Sequence, residues 1–210
     1  ITPAEAIAPI QINGESHVTT YLEGENKISI NKSGKSSSKL TVSPAGISVA
    51  KGAKLTIDNE PGQQGSIEVL NNTNVDRTGA AIGGNGEQDA GIIHIKGGTV
   101  TATSASGSDG AAIGASTTNS VEEIRISGGV VTAKSSDGAG IGTGSASMNR
   151  TGKIVIEGGT VNASSWNGAG IGSGYGYVPG SSAIIAKIEI HGGMITAYSY
   201  DGACIGSGRD

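Results

Sequence analysis

Four residues at matching places in successive repeats, Asp109, Asp137, Asn167 and Asp201, each stand directly before a glycine, and the last two follow an aromatic ring. Carboxylates gathered on one edge suit three kinds of chemistry. They attract Ca²⁺, which would relieve the repulsion between Asp109 and Asp137. Asp137 and Asp201, two repeats apart, would lie about 9–10 Å from each other along a stacked edge. That is the upper edge of the spacing at which inverting glycosidases admit a water. The third reading is structural: Asx-Gly pairs make turns, with the side chain bonded to nearby backbone amides. The turn reading is preferred. Asn167 does not ionise, and no neighbouring feature predicts the raised pKa that a general acid needs. No resident metal or cofactor is assigned, with Ca²⁺ kept as an alternative.

The aromatics are the second chemistry-bearing set. The chain holds one Trp, five Tyr and no Phe, and five of these six rings fall late: Trp166, Tyr175, Tyr177, Tyr198 and Tyr200. Trp166 and Tyr200 precede equivalent corner residues one repeat apart, so their rings are expected to stack, with Tyr198 on the same side. A flat ring beside hydrogen-bonding groups holds a sugar, whose C–H face is apolar and whose rim is polar. Asp137, Asn167, Asp201 and the loop 173–186 would supply the polar contacts. The competing reading is that the rings shield the last repeats or pack on a further domain. A row of Thr101, Thr132, Asn162 and Thr196, flanked by Thr99 and Thr160, resembles a water-ordering surface, but Val130 and Met194 interrupt it. Threonine is ordinary on a solvated strand.

Other candidates are weaker. His17, His94 and His191 occupy non-equivalent places and read as surface residues. Cys204 is the single cysteine, which excludes a disulfide framework and a Cys-rich zinc site. It fills the variable position of a repeated motif where other copies have Ala or Gly. No zinc-protease, nucleophile-elbow or phosphate-loop pattern occurs. Arg125, Lys134, Arg150, Lys153 and Lys187 would offer charge to an acidic polysaccharide, but scattered bases more often make a solubilising surface.

These residues need a frame, and the frame is periodic. Gly-Ala-x-Ile-Gly begins at Gly79, Gly110, Gly138, Gly168 and Gly202, at intervals of 31, 28, 30 and 34 residues. Self-similarity at this period is the signature of a stacked architecture. Each late repeat holds three short alternating stretches, for example Ile124/Ile126, Val131/Ala133 and Ala139/Ile141. Alternation marks strands with one inward face. Three strands per repeat fits one coil of a three-sided, right-handed parallel β-helix. Six coils are expected, starting near residues 28, 55, 93, 124, 154 and 188, with residues 1–26 as an N-terminal cap or partial coil and 27–210 as the repeats. Gly97-Gly98 and its copies are expected at one corner, and the first glycine of each Gly-Ala-x-Ile-Gly at the next, both supplying φ values that a Cβ resists.

Composition agrees. The 210 residues include 37 Gly and only 3% aromatics, which suits a narrow aliphatic interior. The formal net charge of −4, without a basic run, argues against a nucleic-acid partner. No apolar stretch reaches about 18 residues, so no membrane insertion is expected.

Gly52-Ala53-Lys54-Leu55-Thr56-Ile57-Asp58, Gly97-Gly98-Thr99-Val100-Thr101-Ala102 and Asp137-Gly138-Ala139-Gly140-Ile141-Gly142 resemble the Gly-rich β-helical repeats of secreted and cell-surface proteins of Gram-positive bacteria. The resemblance covers roughly residues 20–210. It implies a secreted or surface location and a place beside adhesins or polysaccharide-acting domains, with carbohydrate binding in some relatives. The wider right-handed β-helix group also holds pectate lyases and polygalacturonases, but no residue here matches their catalytic motifs. The expected function is an extracellular, non-catalytic module binding a polysaccharide or a host or cell-wall glycan. The alternatives are a structural stalk and, behind it, a polysaccharide-degrading β-helix.

Overall fold

The computed structural model describes residues 7–32, 43–73, 77–86, 88–105, 107–145, 150–176, 184–185 and 187–209. Each alternating stretch is a strand. The first coil holds β1 (Ile10–Ile12), β2 (His17–Leu22) and β3 (Gly24–Lys32). The second holds β4 (Ile47–Val49), β5 (Lys54–Asn59) and β6 (Gly65–Thr73). The third holds β7 (Ile82–Gly83), β8 (Ala90–Ile95) and β9 (Thr99–Ser104), and the fourth β10 (Ile113–Gly114), β11 (Val121–Ile126) and β12 (Val130–Lys134). The fifth holds β13 (Ile141–Gly142), β14 (Arg150–Ile156) and β15 (Thr160–Ser165). The sixth holds β16 (Ile171–Gly172), a divided second strand, β17 (Ile184–Ile185) with β18 (Ile188–Ile190), and β19 (Met194–Ser199). β20 (Ile205–Gly206) starts one further turn.

Equivalent strands of successive coils pair in parallel and build three sheets. Sheet I runs β1-β4-β7-β10-β13-β16-β20. Sheet II runs from β2 to β17 and β18 through β5, β8, β11 and β14, and sheet III from β3 to β19 through β6, β9, β12 and β15. A parallel pair needs a crossover of a dozen residues or more; here the crossover is the rest of the coil. The molecule is a parallel β-helix.

Register places like residues on like. Ile93, Ile124, Ile154 and Ile188 stack in sheet II, and Val100, Val131, Val161 and Ile195 in sheet III. Ile82, Ile113, Ile141 and Ile171 are fully buried from sheet I and meet these rows on the axis. Burying one such side chain is worth roughly 1.5–3 kcal/mol, so the aliphatic column carries the fold, with no aromatic in the core among the described residues. Its last members fade: Ile190 and Ile205 in the sixth coil and beyond are 45% and 44% exposed.

Two expectations change in detail. The first coil begins at Ile10, not near residue 28. Val18 pairs with Leu55 in sheet II, and Ile28 pairs with Val69 in sheet III. The stretch read as a cap or partial coil therefore contributes two of the first coil's three strands, and the expected strand at Leu40/Val42 lies outside the described residues. The glycine roles also divide more finely. At the Gly-Gly corner only the second residue needs the left-handed region, as at Gly129 with φ 81°. In Gly-Ala-x-Ile-Gly it is the last glycine that has positive φ, as at Gly142 with φ 142°. The first is required by proximity: a Cβ on Gly168 would stand 2.6 Å from the carbonyl oxygen of Gly138.

Candidate functional site at an aromatic corner

The corner after sheet III is built from one short pattern, Ser-x-Asx-Gly: Ser135-Ser136-Asp137-Gly138, Ser165-Trp166-Asn167-Gly168 and Ser199-Tyr200-Asp201-Gly202. The leading serine turns inward. Ser165 Oγ donates to the carbonyls of Ser136 and Gly138 at 2.8 and 2.7 Å and accepts from Gly168 N at 3.0 Å. Its two donations involve a single hydroxyl proton and so share it. Ser199 repeats the pattern on Gly168 O and Gly202 N. Asn71, two coils earlier than Ser135 in the same column, reaches Pro44 O and Gly79 O with its amide. These bonds satisfy backbone groups that a buried turn would otherwise leave costly.

With the serine held inward, the next residue points out. Trp166 N donates to Ser136 O at 3.1 Å, and Asp201 N donates to Trp166 O at 2.9 Å, which locks successive corners together. The Trp166 and Tyr200 rings stack with centroids 4.4 Å apart and planes 15° apart. Trp166 is 56% exposed and Tyr200 60%. One face of the indole is thus covered by Tyr200. On its other side lies an open hollow of about 550 Å³ lined by Trp166, Ser135, Ser136, Ser104 and Gly107. Ser135 Oγ is engaged with Gly110 O, and Ser104 Oγ with Ser108 Oγ.

The corner residues are paired. Asn167 Nδ2 donates to Asp137 Oδ1 at 2.6 Å. Arg209 Nη1 donates to Asp201 Oδ2 at 3.0 Å. Asp109 is buried and accepts from Ser145 Oγ at 2.7 Å. An amide and a guanidinium therefore bear on Asp137 and Asp201, which is a turn and ladder arrangement. Among the described residues no group of three or more His, Cys, Asp and Glu side chains could hold a metal ion.

Of the residues singled out from the sequence, Trp166, Tyr200, Asp137, Asn167 and Asp201 come to this corner. Tyr175 joins them: its N donates to Asp137 O at 2.8 Å, and the Arg209 guanidinium carbon lies 6.0 Å from its ring centre. Tyr198 lies on the outer face of sheet III two residues before Tyr200, 56% exposed and paired with Ser164. Tyr177 and most of the loop 173–186 lie outside the described residues. Sequence reasoning missed Arg209, Ser135, Ser136, Ser104 and Gly107. The Ser-x-Asx-Gly pattern was a usable signal for Ser135 and Ser136; Ser104 lies outside it, and Arg209 had no signal, since no other repeat carries an equivalent base.

The outer face of sheet II has a different character. Arg125 bonds Glu123 at 2.8 Å and also pairs with Glu157; the bond to Glu123, ahead of that to Glu157, holds the guanidinium pKa above its ordinary value. Glu189 accepts from Lys153 at 2.8 Å and Lys187 at 2.7 Å, and these bonds pull its pKa down to about 2. His94, bonded to Ser127 Oγ at 2.9 Å, has its pKa lowered by burial first, then by Lys54, Arg125 and Lys96.

The beta helix repeat model matches residues 93–117, 124–145, 154–175 and 188–209. These four stretches are similar to β-helix repeats. Each matched repeat starts inside the second-sheet strand of its coil and runs through the Asx-Gly corner to the third-corner loop, so Trp166 and Tyr200 lie at equivalent places in adjacent β-helix repeats. The first two coils fall outside the matched stretches. No curated protein and no solved structure matches the chain.

Proposed function

We propose that this β-helix is a non-catalytic carbohydrate-binding module, secreted or displayed at the cell surface, that holds a polysaccharide or a host or cell-wall glycan at the aromatic corner. The observation that carries the reading is the free face of Trp166 above a hydroxyl-lined hollow. Indole supplies the apolar surface for the C–H face of a sugar, and Ser136, with Asp137 and Asn167 beside it, supplies polar groups for its rim. Tyr200 backs the indole and fixes its orientation, which lowers the ordering cost of binding. Tyr198, exposed two residues before Tyr200, and Tyr175, tied to Asp137 through its backbone, would add aromatic surface. A shallow, open site suits holding a chain rather than enclosing a reaction.

The test is retardation of the protein in gels cast with neutral or acidic polysaccharides, read together with the fluorescence of Trp166, the only tryptophan. The double variant Trp166→Ala, Tyr200→Ala is expected to lose retardation while keeping its strand signal in circular dichroism. Retardation that survives both changes would move the site elsewhere. A second reading, a rigid spacer between other domains, draws on the ring stack itself, since stacked side chains on adjacent coils also stiffen a solenoid. It predicts no retardation on any glycan.

A further inference from the structure

The way Trp166 is stacked sets how a chain can cross it. This inference rests on the glycan reading above. Trp166 and Tyr200 belong to adjacent coils, and their centroids are separated by 4.4 Å, close to the spacing of about 4.8 Å between neighbouring strands. Their planes are nearly parallel, so the ring normals follow the solenoid axis. The free indole face therefore looks along the axis, toward the small residues of the two preceding coils: Ser135 and Ser136 in the fourth, Ser104 and Gly107 in the third. At the place where Tyr200 and Trp166 put rings, the fourth coil has Ser136. The hollow is the space that another ring of the stack would fill.

We propose that a pyranose takes that place, that its chain crosses the solenoid at right angles to the axis, and that the site selects glycans with equatorial linkages. A sugar stacked on the indole has its mean plane parallel to the coils. Equatorial linkages leave a pyranose within that plane. The neighbouring sugars then pass outward over the corner, toward Asp137 on one side and Lys134, the exposed end of β12, on the other. An axial linkage leaves along the ring normal. It would drive the next sugar into the indole or into the third coil at Ser104 and Gly107. β-1,4-linked glucose has both bonds equatorial; α-1,4-linked glucose has one axial. The two chains contain the same sugar, so a difference between them reports linkage alone.

The experiment titrates the wild-type chain with glucose hexamers of β-1,4 and α-1,4 linkage, and with β-1,4 oligomers of N-acetylglucosamine, mannose and xylose, following Trp166 emission. At least one β-1,4 series is expected to perturb the emission and to bind tenfold or more tightly than the α-1,4 hexamer. In that series Lys134→Ala is expected to weaken a trimer several-fold and leave a monosaccharide unchanged. Equal or tighter binding of the α-1,4 hexamer, with a Trp166 response, overturns the orientation and leaves the glycan reading standing. Silence of every β-1,4 oligomer also overturns the orientation; the glycan reading falls with it only if the polysaccharide gels show no retardation either.

Discussion

On the outer face of sheet II, Glu189 is held between Lys153 and Lys187, and Arg125 between Glu123 and Glu157. At the corner beyond sheet III, Trp166 and Tyr200 stand more than half exposed beside a hollow. Both regions ride on the same parallel ladder, and both exploit register: Trp166 and Tyr200 meet at equivalent places, while Arg125 meets Glu157 and Lys153 meets Glu189 two places along the neighbouring strand. They differ in whether the stacking is completed. Charges of opposite sign in adjacent coils satisfy one another, and the face closes on itself. The aromatic stack stops at Ser136 and leaves one indole face uncovered. A repeat fold makes ladders by default, so a ladder that breaks off is more informative about function than one that continues.

Three changes sharpen that contrast. The largest effect is expected from Ser165→Ala, which removes the hydroxyl that serves the Gly138 carbonyl and the Gly168 amide beneath Trp166, while Ser136 O keeps its bond from Trp166 N. Leaving such buried groups unpaired costs about 2 kcal/mol, measured as a lower midpoint in urea unfolding, and binding should weaken with it because the corner loosens. Next is Ser136→Trp, which extends the stack into the hollow. It should raise stability by about 1 kcal/mol, the worth of an aromatic pair, while abolishing Trp166-linked glycan binding. If binding persists, the hollow is not the site. The smallest effect is expected at Glu189. Its pKa is depressed from 4.5 to about 2 by Lys153 and Lys187, so its contribution to stability is present above about pH 4.5 and is lost as pH falls toward 2. The gap in Tm between wild type and Glu189→Gln should therefore be small near pH 6, shrink with added salt, and close by pH 2. Glycan binding should not respond to this variant.

Much of the frame was legible because it rests on residues that repeat. Ile-x-Ile, Gly-Gly and Gly-Ala-x-Ile-Gly recur at near-constant spacing, and the three sheets follow from them. The first coil was phased incorrectly because it lacks all three signatures. There β2 reads Val18-Thr19-Thr20-Tyr21-Leu22, β3 is nine residues long, and only its pairing with β6 shows that Ile28 belongs to the third sheet. The Trp166–Tyr200 stack was foreseeable, since both residues precede an Asx-Gly turn. The hollow beside it was not. It consists of side chains that are small relative to a ring in the next coil, and smallness at Ser136 or Gly107 carries no signal until register shows what stands beside it. Arg209 was illegible for another reason: its role depends on bringing Tyr175 and Asp201 together across a corner, and no period predicts that.

The direction of the ladder bonds has a mechanical consequence. Every interstrand hydrogen bond in the three sheets joins one coil to the next, so a pull along the axis loads the coils in series. Every coil then carries the same force, and a terminal coil, bonded to a neighbour on one side only, peels away first. Each coil contains about thirty residues, which extend to roughly 100 Å of free chain, against about 4.8 Å of folded length. Stretched from its ends in an optical trap, the molecule is expected to lengthen in steps of about that size, each absorbing work and each reversible while the remaining coils template the return.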